Sequence, residues 1–274
     1  MLKKVVSIVI YIFAAIGFFL VVGYFAVRFG LTNTSGIVDL QREAFIGSAT
    51  STDFAPSDPR GTPWQKTEEW QVLEAALRKD TAALDRAAAD SGVPARLIAA
   101  NLVAEQLRLF FTEREFYKQF FYPLKILGSQ TQFSWGVMGM KEDTAIQVEN
   151  NLKDPASPYY PGPEFGHALD FRTTDVESER FARMTDQHDH YWSYLYAGLY
   201  IKEVEAQWRK AGFPIEGNPA VVSTLYNIGF AHSTPNANPQ VGGAAIDILG
   251  VSYSFGGLAA DFYSSGELVD IFPR

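Results

Sequence analysis

Residues 5–27, VVSIVIYIFAAIGFFLVVGYFAV, carry no charged side chain. As an α-helix rising about 1.5 Å per residue, this run reaches across a hydrocarbon layer of about 30 Å. A cleaved leader has a shorter apolar core and a small-x-small cleavage site. The following FAVRFGLTN offers no convincing site. Lys3 and Lys4 precede the run and Arg28 closes it. The excess of positive charge on the N-terminal side favours a cytoplasmic N-terminus. The expectation is an uncleaved transmembrane anchor within residues 1–30, with everything after it extracytoplasmic, at the cell surface or in a periplasm.

The outward part must then hold together without disulfides, because the 274-residue chain contains no cysteine. Thiolate catalysis and cysteine-based metal centres are excluded with it. Net charge is −8, and the first 30 residues contribute +3, leaving −11 for the rest. Nucleic-acid binding depends on cationic patches. This chain has no basic run and is expected to have no nucleic-acid partner.

Residues 31–65 mix Ser, Thr, Gly, Pro and Asp and read as a linker or irregular arm. From residue 66 to 274 the pattern is that of one mainly α-helical domain with at most a small β element. Apolar residues at helical spacing run to Ser91-Gly92, then again from Pro94 through Phe111. Further helices are expected from Lys141 or Glu142, over 188–211, from Asn218 to Gly229 with Pro219 in its first turn, and around 242–249 and 255–264. Residues 154–166 form a Pro/Gly-rich loop. The aromatics of 110–133 suit core packing, with a wall for sugar rings as the alternative.

Within the second helix, NLVAEQLRLF (101–110) is apolar nearly all the way round, yet holds Glu105. Ile98, Leu102, Glu105 and Leu109 share one face. A carboxyl on such a stripe loses solvation, which favours its protonated form, as general acid catalysis near neutral pH requires. The structural alternative is a glutamate paired with Arg108 one turn on.

Four stretches in order extend the first of these readings. SGVPARLIAANLVAEQ leads into Glu105. SWGVMGMKEDTA supplies Ser134, Gly136, Met138, Thr144 and Ala145. YAGLYIKEVEAQW spans 196–208, and LYNIG supplies Tyr226, Asn227 and Gly229. Together they resemble the lysozyme-like lytic transglycosylases that act on peptidoglycan, over about residues 90–264. Gln106 stands where that family has Ser, and Gly139 where it has Gln.

The resemblance implies a lysozyme-like fold with Glu105 as the single acid/base. It implies a cleft contributed by Gln106, Ser134, Gly136, Met138, Tyr226 and Asn227. The implied reaction cuts the bond between N-acetylmuramic acid and N-acetylglucosamine in peptidoglycan glycan strands, and closes a 1,6-anhydro ring. No cofactor and no metal is expected. A hydrolysing muramidase needs a second carboxylate. Glu113, Glu115, Glu142 and Asp143 are the nearest in sequence, and each reads as solvated or as an ordinary first-turn acid. A non-catalytic wall-binding or assembly module and a helical membrane-anchored scaffold with no sugar site are the remaining alternatives. His188 and His190, at i and i+2, would share a face on a strand but not on a helix, so a metal site at His188, Asp189 and His190 is not expected. His232 reads as a loop residue.

Overall fold

The computed structural model describes residues 17–18, 62–111, 136–186 and 189–274. Ser134, Glu113, Glu115, His188, the 31–61 arm and nearly all of the apolar run 5–27 lie outside these. Residues 17 and 18 are helical. Among the described residues no helix is long and apolar enough to cross a membrane.

A 3-10 turn at Pro63–Lys66 leads into α1, Glu68–Ser91, whose N-cap Thr67 accepts a hydrogen bond from the Trp70 amide at 3.1 Å. That cap satisfies one of the amides left free at a helix start. The helix stops at Gly92, in the left-handed region at φ 67°, with its amide donating to Ala88 O. Such a stop favours glycine because it has no Cβ.

The second helix, α2 (Ala95–Phe111), is the hub. Only Ala95, Gln106, Phe110 and Phe111 escape full burial, which is why its sequence is apolar on all sides. Packed around it are α1, α5 (Tyr191–Lys210), α6 (Pro219–Ile228) and α7 (Phe255–Ser264). α3 (Glu142–Lys153) and α4 (Val176–Thr185) pack on α5. α1 and α5 approach closely: a Cβ at Gly198 would lie 2.5 Å from Ser91 Oγ.

α6 begins and ends where the sequence indicates. Asn218 caps it by accepting from the Val221 amide at 3.2 Å, Pro219 fills its first position, and Gly229 closes it at φ 90°. α5 starts at Tyr191 rather than 188, with His190 as its N-cap residue. The helix expected at 242–249 is a strand instead. β1 (Ala245–Ile248) pairs antiparallel with β2 (Val251–Ser254), in the register Ala245↔Ser254 and Ile248↔Val251. Ile246 and Ile248 point inward while Ala245 and Asp247 are exposed, the period-2 alternation of a half-buried strand. Leu249 and Gly250 make the two-residue turn with φ 51° and 81°, as type I′ hairpins require. The sequence also gave no sign of α4, which follows the Pro/Gly-rich loop and carries two buried arginines, Arg180 and Arg183.

One side chain binds the end of the chain to this hub. Arg96, in the first turn of α2, has no solvent exposure. Its guanidinium donates to five backbone carbonyls at 2.8–3.0 Å: Phe262, Tyr263, Ser265, Glu267 and Phe272. It also lies 5.0 Å from the Phe262 ring centroid. Arginine suits this place because its planar fork offers five donors in fixed directions. The buried carbonyls near the end of α7 thereby find the donors they need.

Candidate functional site

Glu105 sits deep in α2 and is 4% exposed. Its carboxylate is gripped by Arg108 on the next turn: Arg108 Nη2 donates to Oε1 at 2.5 Å and Nε donates to Oε2 at 3.1 Å. Arg108 is itself buried, at 6%. This is the bidentate geometry in which a guanidinium holds a carboxylate most firmly. The pairing with Arg108 weighed from the sequence is therefore present, but as a buried ion pair on the interior stripe, not at a wet edge.

The segment Gly136–Met140 passes directly against this carboxylate. Gly139 has φ +62°, and a Cβ there would collide with Glu105 Oε1 and stand 2.7 Å from its Cδ. No side chain larger than hydrogen fits between the two. The glutamine that the sequence resemblance leads one to expect at 139 is replaced by the one residue that lets backbone lie flat on Glu105. Three hydrogen bonds hold the segment in place. Gln106 Nε2 donates to Val137 O at 2.5 Å, Tyr226 Oη donates to Met138 O at 3.0 Å, and the Gly139 amide closes a turn onto Gly136 O at 3.3 Å. Gly136, also at positive φ, packs where a Cβ would strike Met184 O and Ser193 Oγ. It fixes the segment to the end of α4 and the start of α5.

Tyr226 comes to the site from α6. Burial, and after it the negative charge of Glu105, pushes its phenol well above the ordinary range, so it is a hydrogen-bond donor and not a base. Its ring stands edge-on to Tyr200, 5.3 Å between centroids. Glu105, Gln106, Met138 and Tyr226 therefore come together from three separated pieces of sequence, and Gly136 anchors the middle piece. Asn227 does something else. Its Oδ1 accepts from the Ala244 amide at 2.8 Å, tying α6 to the approach of the hairpin. Ser134 lies outside the described residues.

The remaining candidates separate. Asp143 is exposed, as expected of a first-turn acid, but Glu142 is 5% exposed. Its carboxyl lies 3.5 Å from Arg180 and is pushed up chiefly by burial, with the Glu177 charge adding to the effect. It is a first-turn acid of α3, as expected, but not a solvated one, because Arg180 offers a buried partner. Arg180 also forks onto Glu149 at 2.7 and 2.8 Å, and Tyr196 donates to the same carboxylate at 2.7 Å. His190 pairs through Nδ1 with Asp80 of α1, which accepts from Tyr194 Oη at 2.6 Å as well. Asp189 pairs with Arg86 at 2.7 Å. Asp189 and His190 thus join the start of α5 to α1 through polar contacts.

Sequence reasoning missed Glu203, which has no exposed surface. Asn151 Nδ2 donates to its Oε2 at 3.0 Å, while Oε1 has no hydrogen-bond partner among the described residues. Burial raises its carboxyl well above the usual range. The signal was available: Tyr196, Leu199, Tyr200 and Glu203 lie on one helical stripe, like Ile98, Leu102 and Glu105.

Neither the protein-family models, nor the curated proteins, nor the solved structures contain a match to this chain.

Proposed function

We propose that this chain is a membrane-anchored lytic transglycosylase with a lysozyme-like domain facing outward, and that Glu105 is its acid/base. The observation that carries the proposal is the convergence on one buried carboxylate of the Gly136–Met140 backbone and Tyr226, stretches that the family resemblance groups with Glu105.

In this reading the Glu105 carboxyl gives its proton to the glycosidic oxygen between N-acetylmuramic acid and N-acetylglucosamine. The C1–O bond breaks and its electron pair leaves with the oxygen. The C6 hydroxyl of the muramoyl unit then attacks C1, and its proton returns to Glu105. No water is consumed. The Gly136–Met140 backbone lies against the acid and helps to fix its position. The phenol of Tyr226, protonated throughout, keeps that segment in place through Met138.

A second reading draws on the Arg108 fork: a carboxylate held this firmly also suits a wall-binding module that does not cleave. A third, a hydrolase, draws on the buried Glu142, three residues after Gly139. Purified full-length chain, wild type and Glu105→Gln, is incubated with peptidoglycan and the soluble fragments are weighed by mass spectrometry. Anhydro-muropeptides from the wild type alone are the expected result. Fragments heavier by one water point to hydrolysis and to Glu142→Gln as the next variant. Binding without fragments refutes the enzymatic reading.

A further inference from the structure

Gln106 is the half-buried neighbour of Glu105 on α2. Successive residues on a helix point about 100° apart, so the two side chains leave α2 in different directions. They nevertheless meet the same object. The Glu105 carboxylate lies against Gly139, and Gln106 Nε2 donates to Val137 O, two residues earlier. Three successive carbonyls of this segment have donors. Gly136 O accepts from the Gly139 amide, Val137 O from Gln106 and Met138 O from Tyr226. The first bond lies within the segment and shapes it. The other two come from separate helices, α2 and α6, and set where it lies. Of these two, the Gln106 bond is the one that ties the segment to the helix carrying the acid.

Both residues in this arrangement are ones at which the chain departs from the family it resembles. A serine at 106 would end two bonds short of the amide that reaches Val137 O. A side chain at 139 would begin with a Cβ in collision with Glu105 Oε1. The glutamine draws the backbone toward α2, and the glycine lets that backbone arrive. We infer that Gln106 is a positioning residue for Glu105, acting through the Gly136–Met140 backbone and as one unit with Gly139, and is not a substrate contact. The inference rests on the function proposed above. A carboxyl with backbone packed against it has fewer directions in which to turn, and a misplacement of about 1 Å costs a reaction about a hundredfold.

The test uses the full-length chain as wild type, Gln106→Ala and Gln106→Met. Methionine keeps the length of glutamine and loses the N–H donor. Soluble peptidoglycan strands are the substrate, fragments are counted by mass spectrometry, and rates are taken per folded chain from circular dichroism. Both variants are expected to lower kcat about tenfold to a hundredfold and to leave KM within about twofold, the pattern of a misplaced group that does not itself hold substrate. A raised KM with unchanged kcat overturns the inference and makes Gln106 a substrate contact. Wild-type kcat in Gln106→Met overturns it as well, because shape without the hydrogen bond then suffices. A second measurement needs no activity. Gly139→Ala is made in the wild type and in Gln106→Ala, and the four chains are unfolded in urea. Once the hold is released the backbone can back away from Glu105, so the penalty of the added methyl is expected to shrink about fivefold to tenfold in the folding equilibrium constant. Equal penalties in the two backgrounds overturn the inference. A wild type that releases no fragments refutes the proposed function, and the equilibrium comparison then decides by itself whether Gln106 holds the segment on Glu105.

Discussion

Replacing Gly139 with alanine isolates the contact on which the site depends. Two costs are involved. Residue 139 has φ +62°, where a Cβ costs about 1 kcal/mol. The new methyl also overlaps Glu105 Oε1 and stands 2.7 Å from its Cδ. Glu105 cannot swing aside without opening the Arg108 fork, so relief of the overlap adds about 2 kcal/mol, within the usual range for overpacking. The total is about 3 kcal/mol. Gly250 supplies the control. It has φ +81° with nothing within 4 Å of its added Cβ, so Gly250→Ala carries only the backbone term, about 1 kcal/mol. Urea denaturation of the full chain, followed by tryptophan fluorescence, compares the two. A second arm repeats Gly139→Ala in a Glu105→Ala background, where the clashing atoms are gone and the cost is expected to fall to about 1 kcal/mol. Equal costs for Gly139→Ala and Gly250→Ala, or no change between the two backgrounds, would refute the placement of the 136–140 segment on Glu105.

Arg96→Lys leaves three donors for five buried carbonyls and is expected to cost about 3 kcal/mol in the same assay, a loss under about 1 kcal/mol counting against the clamp. Tyr226→Phe removes the donor to Met138 O and is expected to cost about 1 kcal/mol and to speed amide exchange across 136–140; unchanged exchange there would show that the segment does not depend on it. Glu203 and Glu205 both hold their protons above the usual glutamate range because of burial, Glu205 up to about 7. Between the ordinary range and those raised values the folded chain binds more protons than the unfolded chain. Stability is therefore greatest at low pH and falls as pH rises through them. Glu205→Gln and Glu203→Gln are each expected to flatten the fall, Glu205→Gln over the range up to about pH 7, so wild-type and variant stability curves of equal slope would refute the assignment.

Helices with chemical stops at both ends were legible. Asn218, Pro219 and Gly229 each act within their own turn, so sequence alone locates α6. The hub helix was legible for a related reason, since a stripe of Ile98, Leu102 and Leu109 has few other uses. The hairpin was not. Over 242–251 the apolar residues satisfy both a helical and an alternating pattern, and only the core beneath Ile246 and Ile248 decides between them. Within the site, Glu105 and Tyr226 were legible as residue types that stand out from their surroundings. The role of Gly139 was not, because a missing Cβ carries no information until the group facing it is known. Glu142 misled for the opposite reason: an acid in a first turn has a ready local explanation, and its partner Arg180 is 38 residues away on a helix that the sequence did not announce.

The Arg96 clamp has a consequence for how the chain is made. The guanidinium waits in the first turn of α2 for carbonyls 166 to 176 residues later. Until those arrive it is a cation with no dry place to go, and the helix around it cannot be enclosed. Contacts this distant in sequence form late and slow the search for the folded state. During synthesis the hub therefore stays open until Phe272 has emerged, and a ribosome stalled short of it holds a chain whose centre is still wet.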